Sequence, residues 1–319
     1  MTVYDIDFSR PRQVTIDKES EGQRIDNFLI NTLKGVPKSR IYRILRKGEV
    51  RINKGRIRPS YRLREGDILR IPPIRVAEPQ PKTGPVLPLL QKRLTDSILY
   101  EDTGLLVLNK PSGMAVHGGS GLSHGIIETL RTMRPDARYL ELVHRLDRDT
   151  SGCLMIAKKR SVLRTLHELL RSNRVDKQYL ALVKGKWRGG DKRVEAPLRK
   201  NMLASGERIV RVEAQGKAAV TCFKPVHCYP RATLVEVTLL TGRTHQIRVH
   251  AAHIGHPIAG DEKYGSASFN RQMREQGLSR LFLHAQRLRF RNGVETIPTE
   301  FHAPLPEELE SVLKNLDKN

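Results

Sequence analysis

The chain has 319 residues, room for two domains, and carries 57 Lys+Arg against 34 Asp+Glu, a formal net charge of +23. Such an excess concentrates polyanions, of which nucleic acid is the commonest. The rival, an anionic membrane, finds no apolar run near the roughly 20 residues that span a bilayer. The N-terminus lacks an apolar signal core, and three cysteines (Cys153, Cys222, Cys228) without zinc-like spacing point to a reducing compartment, the cytoplasm.

Residues 1–20 read as an arm. Over 24–33, Ile25, Phe28, Leu29 and Leu33 recur at helical spacing. A second helix starts near Pro37 and buries Ile41, Ile44 and Leu45 before Gly48 stops it. Its other face shows Lys38, Arg40, Arg43, Arg46 and Lys47. Short strands follow at 50–52 and 68–71, with a turn at 53–55. Residues 34–75 hold 14 Lys+Arg and 3 Asp+Glu, a net +11. A helix merely solvated by its cations normally interleaves acids among them. Acids are scarce here, so this face reads as a grip for phosphates. Residues 76–92 hold Pro79, Pro81, Pro85 and Pro88 and read as a semi-extended tether.

Residues 93–319 read as one domain. A buried strand at 105–108 closes on Asn109-Lys110-Pro111. The Gly-rich run 116–121 lacks the G-K-[ST] ending of a P-loop, which sets nucleoside triphosphates aside. A helix is expected over 161–170, and half-buried strands over 178–183 and 234–239. Runs of strands with interspersed helices favour an α+β fold on a mixed, mainly antiparallel sheet. The stretch 143–152, VHRLDRDTSG, crowds charged side chains before an apolar strand at 153–157. A carboxylate wedged there between cations is held rigid, as a nucleophile or charge anchor must be. The plainer alternative is a surface turn bonded to its own backbone. Further on, Thr244 can cap a helix with Ile247, Ala251 and Ile254 as its apolar stripe and Gly255 as its stop. Arg248 then lies one turn in, placed to take a carboxylate with both arms of its fork. The alternatives are a structural salt bridge for Arg248 and a core tyrosine with a bonded hydroxyl for Tyr179. His245, His250, His253 and His256 contain no H-E-x-x-H, and the interleaved Arg248 opposes a cation, so no metal is expected. Contacts at an RNA rim, or ordinary packing, suffice for these histidines.

Three strings, HRLDRDTSG at 144–152, KQYLALV at 177–183 and LTGRTHQIRVH at 240–250, resemble the motifs of the RluA-type pseudouridine synthases. RIDNFL, SRIYRILRKGEVRIN and EGDILRI, between 24 and 71, resemble the S4 RNA-binding domain. The longer runs VPKSRIYRILRKGEV and HGGSGLSHGI fit one large-subunit rRNA member better than its sister synthase with the same domains, which acts on other 23S rRNA uridines. The resemblance implies an S4 domain at 21–75 and a synthase domain at 93–319 that isomerises uridine to pseudouridine in 23S rRNA or a large-subunit precursor. By resemblance Asp147 is the catalytic residue, acting at ribose C1′ or uracil C6 or assisting elimination at the sugar. Arg145 fills the space left by the flipped uridine. Tyr179 lies against the base and helps with the C5 proton, and Arg248 pairs with and orients Asp147. Lys38, Arg40, Arg43, Arg46 and Lys47 would hold RNA by its phosphates and helical shape. No metal or organic cofactor is expected, since isomerisation involves no redox change, and the protein is expected to act as a monomer away from membranes. Two other classes compete. An S4-type assembly factor needs the basic module but not Asp147, Tyr179 and Arg248 together. A nuclease or glycosylase needs a placed water activator, for which no acidic cluster is visible.

Overall fold

The computed structural model describes residues 10–33, 35–74, 88–118, 125–137, 139–202, 208–291 and 297–318. The chain divides into two units, 1–84 and 85–319. Among the described residues no helix is long and apolar enough to cross a membrane.

The first unit runs β1 (Arg12–Thr15), α1 (Ile25–Thr32), α2 (Lys38–Arg46), β2 (Arg51–Ile52), β3 (Gly55–Arg56) and β4 (Ile68–Ile71). Its sheet order is β1-β4-β2-β3. Ile25, Leu29, Ile41, Ile44 and Leu45 pack with the sheet residues Ile52, Leu69 and Ile71 in one core. The apolar stripe of α2 is therefore fully used, and Lys38, Arg40, Arg43, Arg46 and Lys47 are all exposed on the other side. Asp26 accepts both arms of Arg24 and the hydroxyl of Tyr42, which ties α1 to α2. Asn53 and Lys54 take left-handed backbone, φ 49° and 69°, as a two-residue hairpin turn requires. The expected N-terminal arm needs correction. Residues 12–15 pair antiparallel with β4 and belong to the sheet, because β4 offers them an open edge of backbone donors and acceptors.

The second unit opens with α3 (Pro88–Thr95), β5 (Ile98–Glu101), β6 (Leu105–Lys110), α4 (Ile126–Met133), β7 (Glu141–Leu142), β8 (Ser151–Ala157) and α5 (Arg160–Arg171). Then come β9 (Val175–Lys184), β10 (Lys192–Glu195), β11 (Leu198–Met202), β12 (Arg208–Val212), β13 (Val220–Cys228) and β14 (Ala232–Leu239). The chain closes with α6 (Gln246–His253), α7 (Ala267–Glu275), β15 (Leu283–Phe290), β16 (Glu300–His302) and α8 (Glu307–Asp317). The main sheet has the order β10-β13-β14-β9-β15-β8-β6-β5, with β16 on β15 and β7 on β8. Every pairing is antiparallel except β15 with β8. The fold is α+β on a mixed, mainly antiparallel sheet.

At that parallel junction Gly152 sits opposite Ala285 with φ +112°. A Cβ on Gly152 would stand 2.2 Å from the Ala285 carbonyl oxygen, so no side chain fits where the catalytic-looking loop enters the sheet. β8 is buried along its whole length, which explains its apolar run from Cys153 to Ala157. The tether also needs correction at its end. Pro88 begins α3, where a proline's missing N–H costs nothing, so the last five residues of 76–92 are helical, within a second unit that starts at Pro85. Residues 75–87, and 119–124 with the end of the Gly-rich run, lie outside the described residues.

Candidate active site

Leu146, Tyr179 and Ile247 are buried in one core cluster. These three anchors, one from each of the three sequence motifs, place their charged neighbours together. Asp147 follows Leu146, and Arg248 follows Ile247 with its Nη1 3.7 Å from Asp147 Oδ2. His245 Nε2 approaches the same oxygen at 3.9 Å. Asp147, Arg248, His245, Arg145 and Lys110 share the wall of a cavity of about 1040 Å³. Arg145 is exposed at this wall. Tyr179 is only 8% exposed and close enough to Asp147 to feel its charge. Burial first, and the charge of Asp147 next, push its phenol well above the ordinary value, so it remains neutral.

The loop holding Asp147 is fastened at several points. The Asp147 carbonyl accepts the N–H of Thr150, closing a turn. Lys110 Nζ donates to the carbonyls of Pro111, Met114 and Arg148 at 2.8–2.9 Å. Burial pushes this ammonium down to about 7, with Asp149 opposing, while three carbonyls surround it for three N–H donors. Ser112 Oγ donates to the Asp149 carbonyl. Beyond the turn, Arg280 Nη2 donates to Ser151 Oγ, which lies 2.9 Å from His284 Nδ1. His144, the first residue of the HRLD string, accepts the Met155 N–H through Nε2 and is pushed down to about 4, chiefly by burial. It is a neutral backbone acceptor that holds the loop against β8.

The helix carrying Arg248 departs from expectation in two ways. Its cap is not Thr244 but His245, in left-handed backbone with φ 54° and no side-chain cap bond. Nor is it amphipathic, for residues Gln246 through Ala251 are all buried. Gln246 ties the start of the helix to the preceding loop and to β13. Its Oε1 accepts from Thr241 Oγ1 and the Arg243 N–H, while its Nε2 donates to the Val220 carbonyl and Thr221 Oγ1. Gly255, φ +80°, follows the helix as expected.

The fork of Arg248 is also redirected. Nε and Nη2 clasp Asp261 at 2.7 and 2.8 Å, leaving Nη1 for Asp147. Asp261 is buried and further accepts the backbone N–H groups of Lys263 and Tyr264. Burial alone would raise the Asp261 carboxyl and lower Arg248; the bidentate bonds between them reverse both shifts. A buried carboxylate demands two charge-assisted bonds, and Arg248 supplies them more closely than it approaches Asp147. The Tyr264 ring lies 5.1 Å from the guanidinium, fixing it from a further side.

Sequence reading missed Lys110, Asp261 and Tyr264 as members of this site. For Lys110 a signal existed, a cation closing the apolar run LLVLN where a buried position was expected. For Asp261 and Tyr264 there was none, because their partners are 13 or more residues away across the fold. The remaining histidines serve structure or surface. His250 bonds Ala196 O and Thr221 Oγ1, His256 bonds Lys184 O against the Trp187 ring, and His253 is exposed.

Residues 104–253 match the model for RNA pseudouridylate synthase, and residues 23–69 match the S4 domain. The ribosomal large subunit pseudouridine synthase C of Pasteurella multocida is 59% identical over 95% of this chain and 93% of its own. The enzyme of the same name from Yersinia pestis is 58% identical over 96% of each. The chain belongs to the RNA pseudouridylate synthases. Among solved structures, human RNA pseudouridylate synthase domain containing 4 aligns with TM-score 0.59 and 28% identity, over 72% of this chain and 96% of its own. Membership makes this an enzyme, with an S4 module of the RNA-binding kind joined to a synthase domain. An S4 protein without catalysis is excluded as the main reading.

Proposed function

We propose that this synthase isomerises uridine to pseudouridine in 23S rRNA or a large-subunit precursor, with Asp147 as the reacting carboxylate. The observation carrying the site assignment is the convergence of Arg248 and His245 on Asp147 Oδ2 at the wall of one cavity. The substrate rests on relatives named for the large ribosomal subunit that match nearly the whole chain. The target base has to leave its stack, at a cost of a few kcal/mol, before it can reach Asp147. Exposed Arg145 occupies the vacated space, and Tyr179 contributes a neutral aromatic surface beneath the base. Lys38, Arg40, Arg43, Arg46 and Lys47 present a continuous cationic helix face to the phosphates of the surrounding RNA. The reaction conserves every atom and electron, so this reading assigns no metal or organic cofactor. It places a monomer in the cytoplasm, where ribosomal precursors are.

The test is tritium release from large-subunit rRNA transcripts labelled at uridine C5. Release with neither strand cleavage nor free uracil is expected. Cleavage, free uracil or no release would contradict the proposal.

A further inference from the structure

His245 has no assigned duty in the isomerisation, yet its geometry is specific. It holds left-handed backbone, φ 54° and ψ 20°, a region non-glycine residues rarely enter. That conformation sets the imidazole between two groups. Nδ1 lies 2.8 Å from the Tyr264 hydroxyl, and Nε2 lies 3.9 Å from Asp147 Oδ2. The Tyr264 oxygen already accepts the N–H of Val210 at 3.0 Å, so its own proton is available to His245 Nδ1. A ring that accepts at Nδ1 carries its proton on Nε2, on the side facing Asp147. Arg248 meets the same carboxylate oxygen at 3.7 Å.

We propose that His245 is a positioning residue for Asp147, held by Tyr264 as the Nε2–H tautomer, and that a second proton on its ring switches the site off. The proposal rests on the assignment of Asp147 as the reacting group. The charged and titratable groups facing His245 are Asp147 from the loop before β8, Arg248 from its own helix, and Asp261, Lys263 and Tyr264 from the turn after that helix. Burial lowers the ring below its ordinary 6.5. Asp147 and Asp261 oppose that shift, whereas Arg248 and Lys263 reinforce it. At neutral pH the ring is thus a neutral donor. As pH falls through its pKa, Nδ1 gains a proton and stops accepting from Tyr264. The ring then becomes a cation beside Asp147 and offsets the negative charge on which that carboxylate's reactivity depends.

Two measurements on the full-length protein test this. In nitrogen-15 spectra of histidine-labelled protein, with His245→Asn supplying the assignment, the His245 signals should show protonated Nε2 and unprotonated Nδ1 near pH 7.5. The opposite tautomer overturns the proposal without reference to activity. Single-turnover rates on C5-tritiated rRNA form the second arm. The wild-type rate should fall on the acid side with a midpoint below 6.5. His245→Asn, chosen because asparagine tolerates left-handed backbone, should be slower by about 10²-fold and lack that limb. Tyr264→Phe keeps the ring against Arg248 but removes a bond that favours neutral imidazole, so its limb should move to higher pH. An acid limb unchanged in His245→Asn overturns the proposal, and an unmoved limb in Tyr264→Phe overturns the tautomer lock. Turnover by Asp147→Asn would instead overturn the underlying assignment of Asp147.

Discussion

At the scale of single residues, two aspartates three positions or fewer from the same apolar anchor have different fates. Asp147 faces Arg248 and His245 in the cavity, whereas Asp149 forms a half-exposed pair with its neighbour Arg148. Asp147→Asn should reduce single-turnover isomerisation by about 10⁴-fold or more with RNA affinity nearly intact. Asp149→Asn should retain substantial activity, since it surrenders a half-exposed ion pair and a charge near Lys110 but leaves the three carbonyls that hold Lys110 in place. Equal and complete loss in both, with normal folding, would falsify the assignment of Asp147 alone. Arg248 has two duties, and its variants separate them. Arg248→Ala leaves Asp261 buried without a counter-charge and should cost about 3–5 kcal/mol in urea unfolding. Arg248→Lys restores a charge but not a fork, so turnover should remain about 10²-fold down. A lysine variant close to wild type in turnover would show that the fork geometry is dispensable. The pH dependence of this pair has a definite sign. The Asp261 pKa is lowered in the folded protein, so its stabilisation is present above the unfolded value near 3.9 and is lost as pH falls through the lower folded one.

At the scale of elements, the site depends on how β8 enters the sheet. The loop of Asp147 runs straight into Ser151 and Gly152, which pair in parallel with His284 and Ala285 of β15. Gly152→Ala combines an unfavourable φ of +112° with backbone overlap against Ala285 and should destabilise the domain by on the order of 3 kcal/mol or more. Thermal or urea unfolding of this variant checks the claim; stability within about 0.5 kcal/mol of wild type would show that β15 can yield. The glycine of the motif is thus explained by the close approach of two strands, not by an approach to RNA. Serine beside it is equally structural, held between Arg280 and His284.

At the scale of the whole molecule, the cationic face of α2 and the candidate catalytic residues occupy different units. The first unit has its own core from Ile16 to Ile74 and bears the exposed cationic face of α2, while Asp147, Tyr179 and Arg248 all lie in the second. Removing residues 1–84 should weaken RNA binding mainly by abolishing the counterion release that their cations drive. The slope of log K against log salt should become shallower by about 0.7–0.9 for each phosphate that the shortened protein no longer neutralises. Single-turnover rates at saturating enzyme should change much less than rates at low enzyme. An unaltered affinity and salt slope would remove the module from substrate capture. Normal binding without isomerisation would show instead that the module helps shape the active site.

Much of this protein is determined by its sequence alone, because local periodicity reports burial. The helical stripes of α1 and α2, the apolar run 153–157 of β8 and the hairpin turn at Asn53-Lys54 each follow from neighbours in the chain. The three motif strings likewise identify the family, and the proposal of Asp147, Tyr179 and Arg248 as site residues starts from them. Only the tertiary structure decides how those residues work. That Arg248 gives its fork to Asp261, that Lys110 binds three carbonyls, and that Tyr264 orients His245 toward Asp147 all depend on partners brought together from distant strands and turns. Even the cap of α6 escaped local reading, because His245 takes that position in left-handed backbone while Gln246 ties the start of the helix across to β13. Electrostatic demand at buried groups is a long-range property of the packed chain, and no local pattern encodes it.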